Sequence, residues 1–250
     1  MAGIDAEMAE YFQRFLLPIA AVIIGIRLIV FIYRKIFPPV FASFCRRVSR
    51  IHHEAIQKHK EKLFAGISSL SQENKRCFAL EIGCGPGSNF AMYPPNTSLT
   101  VVEPNENFKT DVASNAAKFS SLEIANFLAM GAEDLKEHVA DGSQDAVVST
   151  LTLCSVQDLE AVVSEVYRVL KPGGHFYFIE HTEAHKKGCW SHIFQRLLAP
   201  AFYALAECNL TRTPWVTVDR AGFSKVQYTK TQIGSLPSLF KWHVFGCAVK

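Results

Sequence analysis

An apolar run that reaches an acid and then breaks into alternating glycines, Leu80-Glu81-Ile82-Gly83-Cys84-Gly85-Pro86-Gly87, constrains this chain more than any other stretch in it. Residues Cys77 to Ile82 read as a buried strand. The glycines behind it let the backbone turn sharply and pass close to a ligand, which a side chain would prevent. A dinucleotide fingerprint requires G-x-G-x-x-G ahead of a helix N-terminus. Here the third glycine comes one residue early, and Ser88 stands where it was expected. No Lys-Ser/Thr pair follows, which excludes a phosphate-gripping P-loop. Glu81 repels phosphate and suits a ligand that carries an ammonium group.

The order of the later segments supports a nucleotide-type site. Leu99 to Val102 form a second apolar strand that ends in Glu103, followed by Pro104 and Asn105, and an acid at that place is positioned to accept both hydroxyls of a ribose. Gly131-Ala132-Glu133-Asp134 follows a third strand around Leu122 to Phe127. Asp145 to Ser149 read as a fourth strand with Thr150 at its end, and Glu165 to Gly174 end a helix and turn into a fifth, His175 to Glu180. Taken singly, each is also an ordinary tight turn, a solvated strand end or a helix stop built on proline and glycine. Their succession from Cys77 to Glu180 is the stronger argument.

The pattern E-x-G-x-G-x-G resembles the first motif of class I S-adenosylmethionine-dependent methyltransferases, whose cofactor has a cationic amino acid end and no phosphate. The resemblance implies a Rossmann-like α/β fold with a mostly parallel seven-stranded sheet flanked by helices. Phe223 to Thr229 and Trp242 to Val249 would complete it, with the last pair antiparallel. It implies S-adenosylmethionine as co-substrate, with no metal expected. Gly83, Gly85 and Gly87 would shape the methionine pocket, Glu81 would orient the ammonium directly or through water, and Glu103 would hold the ribose. Pro104, Asn105 and Thr150 join this cofactor set, and Ala132 and Glu133 would border the adenine.

The N-terminus adds a second feature. Phe15 to Tyr33 is almost continuously apolar, interrupted by Pro18 and Arg27, and is long enough for a membrane span. Acids precede it and Arg34, Lys35, Arg46, Arg47 and Arg50 follow it, which favours an uncleaved anchor with the remainder in the cytosol. Ile36 to Phe41 is apolar too, so Phe12 to Phe44 could instead enter one leaflet, break at Pro38-Pro39 and return. The organisation expected is an anchor over 1–45, a basic juxtamembrane helix and linker over 46–74, and a catalytic domain over 75–250. Arg46 to Lys62, with His52, His53 and His59 among Lys and Arg, reads as a solvated cationic face near anionic headgroups.

A formal charge of +3 on 250 residues, without a basic stripe interleaved with aromatics, disfavours nucleic acid. The seven cysteines are odd in number and contain no C-x-x-C pair, so neither a disulfide framework nor a zinc ribbon is indicated. His181, His185, Cys189 and His192 are spaced roughly along one helical face, but Lys186-Lys187-Gly188 makes a continuous helix there doubtful. His181 alone follows strand five, where a methyl acceptor would approach, and an imidazole can take a proton. Trp190 to Ala206 carries apolar residues near helical spacing.

Beyond the generic motifs, the chain resembles the membrane-anchored microsomal alkyl thiol S-methyltransferase group. The shared strings include Asn89-Phe90, Tyr93-Pro94-Pro95, Leu153-Cys154-Ser155-Val156, Glu180-His181, Cys208-Asn209-Leu210-Thr211 and Gly246 to Lys250. Glu103 stands where that group would carry Asp, and Pro86 where it would carry Thr. The resemblance implies methyl transfer to the sulfur of small hydrophobic thiols, at endoplasmic reticulum membranes and lipid droplets, with the domain facing the cytosol. A lipid, quinone or phenol acceptor, and a non-catalytic lipid-droplet protein that retains the fold, are the alternatives.

Overall fold

The structure is a computed structural model that describes residues 17–68 and 75–250. The chain divides into two compact units, Met1–Phe44 and Cys45–Lys250. Helix α1 spans Leu17–Ser68 and runs through Pro38 and Pro39. The break at the prolines that the alternative one-leaflet mode requires is therefore absent, since a 52-residue helix tolerates the loss of two ladder bonds. Residues 1–16 of the expected anchor lie outside the described residues, as do residues 69–74 of the linker. Among the described residues, no helix is long and apolar enough to cross a membrane.

The basic stretch after Cys45 is solvated on one side only, where Arg47, Arg50, Lys58 and Lys62 are exposed. His52, Ile56, Lys60, Phe64 and Ile67 are all buried, and their spacing puts them on one side of the helix. Ile56, Phe64 and Ile67 pack in the same cluster as Ala79, Leu99 and Val148 of the sheet. Gly66 meets the sheet closely: a Cβ there would lie 2.7 Å from the Tyr177 hydroxyl. Arg46 adds an ion pair of 2.8 Å with Asp111.

The sheet has seven strands in the order β3-β2-β1-β4-β5-β7-β6. In chain order they are β1 (Cys77–Ile82), β2 (Thr97–Val102), β3 (Leu122–Leu128), β4 (Gln144–Thr150), β5 (Leu170–His181), β6 (Lys225–Gln232) and β7 (Trp242–Val249). The first five pair in parallel and β7 runs antiparallel to both neighbours, as expected. The central strands are buried on both faces, which is why they read as continuous apolar runs rather than alternating ones. Helices α2 (Lys109–Ala116), α3 (Leu159–Val169), α4 (Trp190–Ala206) and α5 (Pro214–Arg220) follow in turn. Val162 and Val166 of α3 pack with Leu80, Val147 and Phe176, on the face opposite Ile56.

The Lys171-Pro172-Gly173-Gly174 run bulges out of β5. Gln144 pairs with Leu170 and Ala146 with His175, so the four residues between are looped out of the ladder. Past the bulge the ends align: Ile82 pairs with Val102 and with Ser149, and Thr150 pairs with Ile179. The carboxyl ends of β1, β2, β4 and β5 thus meet at one edge, where ligands of open α/β sheets bind.

Phe64→Ala should lower the unfolding free energy by about 3–5 kcal/mol, because it leaves a cavity under the helix. Urea unfolding checks this. A change within about 0.5 kcal/mol would return Cys45 to Ser68 to a solvated role.

Candidate active site

The loop after β1 is held by its own acids and amides. Gly83, Gly85 and Gly87 have φ of +64°, +51° and +85°, in the left-handed region. A Cβ on Gly83 would overlap Thr152, whose hydroxyl donates to the Gly83 carbonyl at 3.2 Å. Around Gly85, by contrast, a Cβ would meet nothing within 4 Å among the described residues. That open space is where a ligand would contact the loop.

Glu81 is 1% exposed, and burial pushes its carboxyl up to about 7. Its Oε1 accepts from Asn89 Nδ2 at 2.9 Å and its Oε2 from the Tyr93 hydroxyl at 2.8 Å. Asn89 Nδ2 also donates to Thr150 Oγ1 at 3.0 Å, which ties the ends of β1 and β4 together. Glu81 therefore faces its own loop, and the acceptor beside it without a partner among the described residues is Asn89 Oδ1.

Glu103 closes the loop from β2. Its Oε2 accepts from the Gly85 amide and its Oε1 from the Asn105 amide, both at 3.0 Å. Burial raises its carboxyl, and the two amides oppose that shift. Each oxygen keeps a further lone pair for a diol. Pro104 is exposed, and Asn105 accepts from the Asn107 amide, starting the turn into α2. Ala132 is buried after β3, and Glu133 accepts from the Gln157 amide at 3.0 Å, so the two sit at the β3 and β4 ends of the same edge.

Lys60 reaches the loop from α1. It is fully buried, and its Nζ donates to the Ser88 carbonyl at 3.0 Å and lies 2.7 Å from His53 Nδ1. Burial lowers Lys60 to about 8, although Glu81 pulls the other way.

On the β5 side, Glu180 Oε1 accepts from Ser149 Oγ at 2.9 Å and from the Thr152 and Leu153 amides at 3.1 and 3.0 Å. Leu151, at φ 57°, makes the turn that presents those amides. His181 Nε2 lies 2.8 Å from His52 Nε2, and its Nδ1 lies 3.8 Å from Cys208 Sγ. Cys208 in turn donates to Cys154 Sγ at 3.4 Å. Burial holds His181 well below its ordinary range, and the neighbouring His243 and His52 push the same way. The imidazole is neutral at physiological pH. His185, Cys189 and His192 are not gathered around it: His185 packs on Trp242, Cys189 caps α4, and His192 lies 3.7 Å from Glu183.

Residues 80–178 match the model of a methyltransferase domain. The chain is 38% identical to human thiol S-methyltransferase TMT1A over 211 residues, 84% of this chain and 86% of that one. The chain belongs to this thiol S-methyltransferase family. Rat thiol S-methyltransferase TMT1B is another member, 36% identical over 88% of both chains. Among solved structures, phosphoethanolamine N-methyltransferase 2 of Haemonchus contortus in complex with S-adenosyl-L-methionine superposes with a TM-score of 0.54 at 14% identity, covering 75% of this chain and 52% of its own. The fold is that of the class I methyltransferases, and the co-substrate bound in that Haemonchus structure is S-adenosyl-L-methionine. The loop fits it: an unpaired acceptor on Asn89 beside a buried carboxylate suits an ammonium group, and space is open at Gly85.

The residues this edge uses that the motifs did not assign are Asn89, Tyr93, Lys60 and His52. Asn89 and Tyr93 were visible only as shared strings, and the other two only as a charge run. Gly85→Ala should fold, at a strain of about 1–2 kcal/mol, yet bind S-adenosylmethionine about tenfold or more weakly. Calorimetry beside a thermal melt checks both, and unchanged affinity would remove Gly85 from the cofactor surface.

Proposed function

We propose that the protein moves the methyl group of S-adenosylmethionine to the sulfur of small hydrophobic thiols. The carrying observation is the 38% identity to human TMT1A over 84% of this chain, which extends well beyond the generic domain at 80–178. The bound co-substrate supplies a methyl group on a sulfonium, a leaving group that needs no acid. What remains for the protein is alignment and exclusion of water. Asn89 Oδ1, backed by Glu81, takes the ammonium; Glu103 takes the ribose hydroxyls; Gly83, Gly85 and Gly87 let the backbone approach; Pro104, Asn105 and Thr150 shape the rim. Ala132 and Glu133 border the adenine.

His181, at the end of β5, would take the proton of the acceptor when no metal is bound. A buried neutral imidazole is a weak base, which suits sulfur: a thiol is already a few per cent thiolate at neutral pH, whereas a phenol titrates near 10. A quinone, lipid or phenol acceptor is the less suited class on this ground.

The reading includes attachment to membrane, at the endoplasmic reticulum and lipid droplets, with the domain on the cytosolic side. It is supported by the apolar run of residues 15–33 with its basic flank, and by the exposure of Val22, Ile24, Leu28 and Val40. Trp190, Phe194 and Leu197 of α4 present a second exposed apolar stripe suited to the headgroup boundary.

Full-length protein in detergent, given S-adenosylmethionine and a small alkyl thiol, should yield the S-methyl thioether by mass spectrometry. Turnover of phenols but not thiols would overturn the acceptor class. Glu103→Ala should weaken co-substrate binding about 10- to 100-fold, the loss expected of charge-assisted hydrogen bonds. Because a cation favours the ionised form of Glu81, affinity should fall as pH drops below about 7, by no more than tenfold per pH unit. Glu81→Gln should bind more weakly and flatten that dependence, as titrated between pH 6 and 8.

A further inference from the structure

The histidines at the β5 edge are three, each from a different element. His52 comes from α1, His181 from the end of β5 and His243 from the start of β7, where it pairs with His181 across the ladder. One ligand atom from each lies within 4.8 Å of the other two, and all three side chains are buried. The 2.8 Å contact between the Nε2 atoms of His52 and His181 satisfies one pair, with one ring donating and the other accepting. His243 is left over. Its Nδ1 lies 3.2 Å from the Lys241 carbonyl, a bond only an N–H can make, so its Nε2 carries a lone pair. That Nε2 is fully buried and has no hydrogen-bond partner among the described residues.

An imidazole that donates one ring nitrogen to a carbonyl and keeps a buried, unpartnered lone pair on the other, beside two further histidines, is arranged as metal ligands are. We propose that His52, His181 and His243 hold one zinc ion through three imidazole nitrogens, with a fourth position left for the sulfur of the substrate thiol. Three neutral nitrogens with an open fourth position suit tetrahedral zinc, and thiolate is a favoured fourth ligand. The first part stands on the histidine geometry alone, and the role of the fourth position rests on the thiol reading above.

The place fits that role. Thr150, at the cofactor edge, pairs with Ile179, two residues before His181. Along α1, His52 lies two turns, or about 12 Å, from Lys60 at the glycine loop. When a thiol binds, its S–H bond breaks as the zinc–sulfur bond forms, and the proton passes to solvent. A coordinating thiol is held deprotonated outright, which removes the demand for a strong base. His181 would then hold the metal rather than take the proton itself.

A second group, Cys154, His181 and Cys208, competes for the same ring through its other nitrogen. Its thiols hydrogen-bond to each other and to the Leu151 carbonyl and Ser155 hydroxyl, and neither sulfur is left over.

The test uses full-length protein in detergent, stripped with a chelator and reloaded with zinc alone or cobalt(II) alone, without S-adenosylmethionine. Elemental analysis should give one zinc per chain. The cobalt form should show visible bands without a thiolate charge-transfer band, and a small alkyl thiol should then add one. His243→Gln should weaken zinc binding by at least the 10- to 100-fold that loss of a mere supporting contact costs, with the melt of the stripped protein serving as the folding control. Cys154→Ser with Cys208→Ser should keep the metal. No bound zinc, or a charge-transfer band before thiol is added, would overturn the histidine site; bound zinc with no band after thiol is added would overturn the role of the fourth position. Methyl transfer is not read in any arm, so metal failure and failure of the thiol reading remain distinguishable.

Discussion

A carboxylate buried at the end of the central strand sets the terms for everything around it. Glu81 has lost nearly all its water, and the protein replaces that water with the Asn89 amide, the Tyr93 hydroxyl and, further off, the Lys60 ammonium. Each replacement also fixes a piece of chain. Asn89 binds the glycine loop to β4, Tyr93 fixes the turn after the loop, and Lys60 holds Ser88 from the helix above. The same logic operates at Glu103, whose two oxygens pin Gly85 and Asn105. The loop is thus organised before any ligand arrives, and binding then pays little ordering entropy.

The edge has two electrostatic characters. Around β1 and β2, burial raises carboxyls and makes them receptive to a cation. Around β5 and β7, burial depresses histidines, and the groups that meet there are neutral imidazoles and thiols. Glu180 stands between the two regions, pushed to about 7 by burial and spent on the amides after β4. A cationic donor and an apolar acceptor would find opposite surroundings a few residues apart.

The strands and the glycine loop were legible because each is a local pattern: β1 and β7 fall on the expected residues, β2, β3, β4 and β6 within three positions, and only β5 starts five residues early, at Leu170. The acids Glu81 and Glu103 were legible as residues but not as partners, since Asn89 and Gly85 reach them only across a turn or a strand. The helix after Cys45 was misread for a physical reason. Two of its five buried positions are His52 and Lys60, so the stripe His52, Ile56, Lys60, Phe64, Ile67 looks polar until the sheet beneath it supplies hydrogen-bond partners. The β7 histidine carries no motif, and only the antiparallel register brings it beside His181.

The contact between Gly66 and the Tyr177 hydroxyl acts as a spacer of zero thickness. With no side chain at that point, the helix lies directly over the Tyr177 ring of β5, and its height there bears on the reach of Lys60 and His52. Lys60 and His52 are short of slack, being fully engaged at 3.0 and 2.8 Å. A methyl group at position 66 would press on the buried Tyr177 hydroxyl, so that either this ring yields or the helix lifts and loosens both distant grips.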